Sequence, residues 1–200
     1  AVSIIEALNI IDKNIQSNTT TEFINIEDSL GSIVANDIIS TVDLPKFDNS
    51  AMDGYALNSK YLLNSLKTQK DVIYAGNKTL PTLNDGEAIR IMTGAPVPKE
   101  ADIVVPVEMI EFDGDFIKVP SNFKSGANIR VMGEELKSGS VCIKRGEEIN
   151  SYSIALLASQ GIDKIEVYKK PKVSIISSGN ELKCHEDQNI GAFDIYNSNT

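Results

Sequence analysis

Residues 44–57 read Leu44-Pro45-Lys46-Phe47-Asp48-Asn49-Ser50-Ala51-Met52-Asp53-Gly54-Tyr55-Ala56-Leu57, two carboxylates, a proline, a glycine and two aromatics within one short loop. Pro45 fixes its own φ and biases Leu44 toward extended geometry. Gly54 permits a left-handed or closely approached backbone directly after Asp53. A loop of this make-up holds its carboxylates in fixed positions. Asp48 and Asp53 on a rigid turn can take up a hard divalent cation or orient a water. The same residue types also close Asx turns and cap helices, and on spacing alone that is the commoner outcome.

Around this loop the composition is that of an ordinary globular chain, 42% hydrophobic and 24% charged over 200 residues, enough for one large domain or two smaller ones. The net charge of −9 argues against a nucleic-acid partner, whose phosphates are met chiefly by Lys and Arg. An anionic ligand would have to be met locally, by backbone N–H groups, a few basic side chains or a bridging divalent metal. No apolar run approaches the roughly 18 residues of a membrane span, and the start Ala1-Val2-Ser3-Ile4-Ile5-Glu6 lacks a basic region ahead of an apolar one. A cytoplasmic protein with no membrane association is expected. Cys142 and Cys184 are too few and too scattered for a disulfide framework and read as structural thiols.

Ile4, Leu8, Ile11 and Ile15 recur at helical spacing, with Ser3 and Glu6 in capping-box relation, and predict an amphipathic first helix. Phe23-Ile24-Asn25-Ile26 alternates like a short strand. Glu27 to Ala35 reads as a helix with Leu30, Ile33 and Val34 inward, and Asp37 with Ile38-Ile39 leads out in extended form. Short β runs follow at 88–92, 103–108, 109–112 and 116–119, fitting a small barrel or sandwich, and Asp113-Gly114 predicts a hairpin. Gly139 and Gly146 flank Val141-Cys142-Ile143. A helix capped by Asn150 or Ser151 turns Ile154, Leu157 and Ala158 inward and is closed by Gly161, and Ile165 to Tyr168 is a strand. Past the linker Lys169-Lys170-Pro171, Val173-Ser174-Ile175-Ile176 reads as the first strand of an α/β sheet running into Ser177-Ser178-Gly179. Ligands bind beyond that end of such strands.

Outside the loop, Thr93-Gly94-Ala95-Pro96 has a composition suited to offering N–H donors to an oxyanion, though such a turn more often only reverses the chain. Arg130 with Glu134 and Glu135 reads as a solvated ion-pair cluster. Glu181 reads as a first-turn acid suited to a helix dipole. Cys184-His185-Glu186 reads as loop, because adjacent residues rarely converge on one ion. His185 is the only histidine, which disfavours a His base or a triad.

The loop 44–57 resembles, nearly residue for residue, the signature loop of the molybdopterin molybdenumtransferases, the family of the bacterial MoeA proteins and the gephyrin E domain. Three further segments resemble that family in the same order: Arg90-Ile91-Met92-Thr93-Gly94-Ala95-Pro96-Val97-Pro98 with Ala101-Asp102, Gly126-Ala127-Asn128-Ile129-Arg130 with Gly133-Glu134-Glu135, and Pro171 to Leu182. The family is normally about twice this length, so the resemblance marks an N-terminal part, inactive alone, stopping at Ile195-Tyr196-Asn197-Ser198-Asn199-Thr200.

The fold implied is α+β and multi-domain: a discontinuous, dimer-forming N-terminal helical and extended domain (1–26 and 140–169), an inserted, mostly β domain (27–139), and the start of an α/β molybdopterin-binding domain (170–200). The function implied is insertion of molybdate into adenylylated molybdopterin with release of AMP, assisted by Mg2+. The alternatives are a non-catalytic molybdopterin-binding or scaffold relative and, more weakly, a small-molecule hydrolase. The resemblance assigns catalysis to Asp53, Thr93, Glu135 and Glu181, metal binding to Asp53, Glu135 and Glu181, and substrate contact to Ser50, Gly94, Ala95, Arg130, Ser178, Gly179 and Asn180. Asp48 remains structural support. Asn180 and Glu135 both depart from the family's Asp; Asn180 keeps an acceptor without charge, and Glu135 keeps the charge with a longer reach. The partners implied are a second copy in a homodimer, the pterin substrate and the molybdopterin adenylyltransferase.

Overall fold

The alternation of apolar residues around the loop 44–57 is resolved by a curled sheet. The computed structural model describes residues 2–15 and 20–198; Asn199 and Thr200 of the closing segment lie outside them. The described chain is mostly β, with two α-helices, α1 (Ile4–Asn14) and α2 (Ser151–Ser159). The strands are β1 (Thr21–Asn25), β2 (Ile38–Ile39), β3 (Asn49–Ser50), β4 (Gly54–Leu57), β5 (Leu66–Ile73), β6 (Glu87–Ile91), β7 (Ile103–Pro106), β8 (Glu111–Asp113), β9 (Phe116–Lys118), β10 (Ile129–Arg130), β11 (Val141–Ile143), β12 (Lys164–Tyr168), β13 (Leu182–Lys183) and β14 (Ile195–Tyr196).

Six of them form one sheet in the order β7-β4-β6-β5-β9-β8. Successive residues point to opposite faces, so Leu57, Ala88, Ile103, Val105 and Ile117 gather in one cluster and Ala56, Ile89, Ile91 and Val104 in the other. The sheet curls far enough for Tyr55 on β4 to meet Phe112 on β8 edge-on, ring centres 6.0 Å apart, although three strands lie between them. All of these side chains except Tyr55 and Phe112 are fully buried, each worth about 1.5–3 kcal/mol for a large aliphatic residue.

A third cluster of Ile26, Val34, Ile143, Ile149, Leu157, Ile165 and Val167 lies under the pairs β1–β12 and β2–β11 and against α2. Gln160, at the C-terminal cap of α2, is buried, and its Oε1 accepts the Ser40 hydroxyl (2.7 Å) and the N–H groups of Thr41 (3.0 Å) and Val42 (3.3 Å). It thereby ties α2 to the segment that leads into the loop.

α1 carries the expected capping box, with Ser3 Oγ accepting from the Glu6 N–H (3.2 Å) and the Glu6 carboxylate accepting from the Ser3 N–H (2.8 Å). None of its residues is buried: Ile4, Leu8 and Ile11 on the apolar face, and Ile15 beyond it, are all exposed. The hairpin also forms, but with Asp113 paired to Phe116, so its central residues are Gly114, at φ 60°, and Asp115.

Five sequence expectations are corrected. Glu27–Ala35 is not an α-helix: a single 3-10 turn (Ile26–Asp28) is followed by Gly31 at φ 72°, and Ile33 and Val34 bridge to Glu148 and Val167. Leu30 and Ile33 are exposed rather than inward, and only Val34 of the three is buried. On α2, Leu157 is buried as expected, but Ala158 is exposed. Val173–Ile176 forms no strand, and Glu181 opens no helix; Val173, Ile175 and Ile176 stand exposed, with no neighbouring strand among the described residues to satisfy their backbone. Instead β13 and β14 make a short parallel pair. β5 had no sequence signal, because Lys67 to Asp71 are polar and the ladder to β6 shifts register between Thr68 and Val72. Among the described residues no helix is long and apolar enough to cross a membrane.

Gly54 is held between β6 and β7 with no room for a side chain: an added Cβ would collide with the Val105 carbonyl oxygen and lie 3.1 Å from Val104 Cγ1. Gly54→Ala should therefore lower stability by about 1–3 kcal/mol or more, as overpacking against backbone does. Urea denaturation checks this, and an unchanged midpoint would show that the strands have slack that the structure lacks.

Candidate functional site

The loop 44–53 is bonded through its backbone on two sides. On one side Leu44 pairs with Leu136, and Leu44 O accepts from Glu135 N–H (2.9 Å). Further along that side Pro45 O accepts from Gly133 N–H (3.0 Å), β3 pairs with β10, and Ala51 N–H donates to Asn128 O (2.9 Å). On the other side Val97 N–H donates to Asp48 O (3.0 Å), Ser50 N–H to Ala95 O (3.0 Å) and Gly94 N–H to Ser50 O (2.7 Å). The Leu44-Pro45 peptide is cis. Asp48 is structural support, as expected, with Oδ1 accepting the Met132 N–H (2.7 Å).

This arrangement carries Asp53 to the rim, where it is exposed. Its Oδ1 accepts two bonds from Thr93, from the backbone N–H (2.7 Å) and from the hydroxyl (2.8 Å). The Thr93 N–H, then its hydroxyl, hold the Asp53 carboxyl below the ordinary carboxylate range, and the Arg90 charge adds to them. Oδ2 has no protein partner among the described residues.

The expectation that Thr93-Gly94-Ala95 offers free N–H donors is corrected. Thr93 donates to Asp53, Gly94 to Ser50 O, and Ala95 to Met92 O (3.0 Å). The turn organises the carboxylate rather than receiving an anion on its backbone. Ser50 and Ala95 are fully buried, and the Ser50 hydroxyl donates to Met52 O (2.6 Å).

Arg130 lies beside β3, opposite Asn49, and is held by two carboxylates. Its Nε contacts Glu134 Oε1 at 3.1 Å, and an Nη nitrogen pairs with Glu135. Glu134 also accepts the Val131 N–H (3.0 Å), and that bond, then Arg130, lowers its pKa. The ion-pair reading of this cluster is what the structure shows.

Ser178, Gly179, Asn180 and Glu181 lie in the exposed stretch before β13. Glu181 folds back over Gly179, where an added Cβ would stand 2.6 Å from its carboxylate. Thus Asp53, Thr93, Gly94, Ala95, Ser50, Arg130 and Glu135 are joined through one loop, and Ser178 to Glu181 form a separate group. Among the described residues no three His, Cys, Asp or Glu side chains come together as a metal-holding set. Sequence reading missed Arg90: it lay inside a quoted segment, and only its cross-strand place opposite Tyr55 marks it.

The fold and this loop define the class. A family description, the MoeA N-terminal region (domain I and II), matches residues 2–161, and the chain belongs to that family. More particularly, it is 37% identical over 172 residues to a molybdopterin molybdenumtransferase of Staphylococcus epidermidis, covering 82% of this chain and 41% of that protein. It is 38% identical over 169 residues to one of Haemophilus influenzae, with the same two coverages of 82% and 41%. A solved molybdopterin biosynthesis MoeA protein from Pyrococcus horikoshii OT3 superposes with a TM-score of 0.78 at 34% identity, covering 89% of this chain and 48% of that one. The chain spans about two-fifths of the length of the curated relatives it matches.

Carbon-13 titration of the Asp53 carboxyl should give a midpoint below the ordinary value of about 3.9. The Thr93 donors favour the charged form. The stability they contribute is therefore present above the ordinary value and is lost as pH falls through the lowered midpoint. Thr93→Val removes the hydroxyl and keeps the N–H, so it should raise the midpoint part of the way. A wild-type midpoint at or above the ordinary value would contradict the geometry.

Proposed function

We propose that the full-length protein acts in molybdenum cofactor biosynthesis as a molybdopterin molybdenumtransferase, inserting molybdate into adenylylated molybdopterin with release of AMP. The observation that carries this reading is Asp53, ionised and aimed by both Thr93 donors, with one carboxylate oxygen unengaged at the rim of a loop braced on both sides. Asp53, Thr93, Glu135 and Glu181 are the proposed catalytic set, and Arg130, Gly94, Ser178, Gly179 and Asn180 the exposed or half-buried groups proposed to face substrate. Ser50 and Ala95 support them from beneath the loop. The adenylylated substrate is supplied by a molybdopterin adenylyltransferase, and the work is done in the cytoplasm.

Mg2+ is a hard cation served by carboxylate oxygens, and Asp53, Glu135 and Glu181 are the donors of that kind proposed to hold it. These side chains are not gathered within the described residues, so no step is assigned to the ion. Mg2+ held by these carboxylates would supply charge neutralisation between an acidic protein and an anionic substrate. The non-catalytic scaffold reading is favoured by one observation, the pairing of Glu135 with Arg130, which occupies a carboxylate the enzyme reading needs.

A homodimer is part of the proposal. An isolated helix of 11 residues is marginal in water, and α1 buries nothing in its own chain, so a second copy is the proposed cover for Ile4, Leu8, Ile11 and Ile15. Light scattering at micromolar concentration should give twice the chain mass, and a pure monomer would remove this part of the reading.

AMP release from adenylylated molybdopterin on addition of molybdate to the full-length protein tests the function itself. Glu181→Gln and Asp53→Asn should each slow that release at least about tenfold, a loss of roughly 1.4 kcal/mol of transition-state stabilisation, with the thermal midpoint little changed. Wild-type protein that binds the pterin without releasing AMP would leave the scaffold reading standing.

A further inference from the structure

Arg90 is half-buried on β6, on the face of the sheet that carries Ala88 and the Leu57–Ile117 cluster. A guanidinium in such a place loses hydration, and carboxylates normally compensate for it. Among the described residues no carboxylate stands within ion-pair distance of Arg90. Its compensation comes from two consecutive residues of β4 instead: an Nη1 N–H donates to Gly54 O (3.1 Å), and the guanidinium lies over the Tyr55 ring, 5.6 Å from its centre. Those are the two residues after Asp53. The ladder places Arg90 directly opposite Tyr55, and the Asp53 carbonyl is itself fixed by the Val107 N–H (3.1 Å).

One short segment thus grips Asp53 twice. Arg90 holds the carbonyl of the next residue, Gly54, and Thr93, two residues past the end of the same strand, holds the Asp53 carboxylate. We propose that Arg90 is the positioning residue for Asp53, fixing the Gly54 carbonyl and the Tyr55 ring so that the carboxylate stays set against Thr93 with a cation behind it. The role needs a planar, permanently charged group that both donates to a carbonyl and stacks on a ring, which Lys does not reproduce. The proposal rests on the reading of Asp53 as a catalytic carboxylate, and its test separates the two.

Arg90→Met and Arg90→Lys are compared in the full-length protein by the NMR shift of the Thr93 amide proton, which reports its bond to Asp53, and by AMP-release kinetics, with Arg90→Gln as the neutral variant if the Met form does not fold. In the neutral variant the Thr93 amide should lose its hydrogen-bonded downfield shift, and kcat should fall about tenfold or more with KM within about twofold. In Arg90→Lys the amide shift and kcat should each recover only in part. A folded neutral variant with an unmoved Thr93 amide overturns the proposal, as does a Lys variant that restores both the shift and kcat in full. If wild-type protein releases no AMP, the functional reading fails, and the amide arm still decides whether Arg90 positions Asp53.

Discussion

The constraint on which the rest of this structure depends is the two-sided backbone bonding of residues 44–53. A loop ordinarily lies on a surface and satisfies its polar groups with water. Here the segment runs between residues 94–97 and 128–136 and exchanges main-chain bonds with both. Because these bonds are backbone to backbone, side chains in the loop are released for other work. Asp48 ties down the Met132 amide, Ser50 closes on Met52, and Asp53 is delivered to the rim. The six-stranded sheet supplies the rigid edge on which this depends, since β4 continues directly from the loop and is clamped between β6 and β7.

The electrostatics follow from the same arrangement. For an acidic protein to receive an anion, favourable charge would have to be concentrated locally. The chain does so sparingly: Arg130 is shared by Glu134 and Glu135, and Arg90 is turned toward backbone and ring. The Thr93 turn spends its N–H groups inside the protein. What the rim offers is an ionised carboxylate, a group suited to a cation or to an orienting hydrogen bond rather than to direct capture of a phosphate.

Elements whose signals are local were legible in the sequence. The capping box and helical spacing of α1, the Asn150 cap of α2 and the Gly114 hairpin each rest on residues within a few positions of one another. Elements set by distant partners were not. Leu30, Ile33 and Val34 have helical spacing, yet the chain there obeys Glu147 and Ile149, which accept its N–H groups from far along the sequence. Val173–Ile176 has strand propensity but no strand beside it, and β5 is a strand with a mainly polar sequence. The Asp53–Thr93 contact joins residues 40 positions apart, so spacing could not reveal it, and only resemblance to a family pointed to both.

The pairing of β1 with β12 sets a timetable for synthesis. Thr21 lies opposite Tyr168, so the first strand of the described chain has no partner until nearly all of that chain has followed it. The six-stranded sheet, by contrast, is complete once Lys118 has emerged. Domains form in the order their contacts become available, and non-local pairings form late. The curled sheet can therefore close before the β1–β12 pair does. Ile24 and Ile26, which pack into the cluster around Leu157, stay uncovered throughout that interval, so an apolar stretch early in the described chain waits for a strand that arrives almost last.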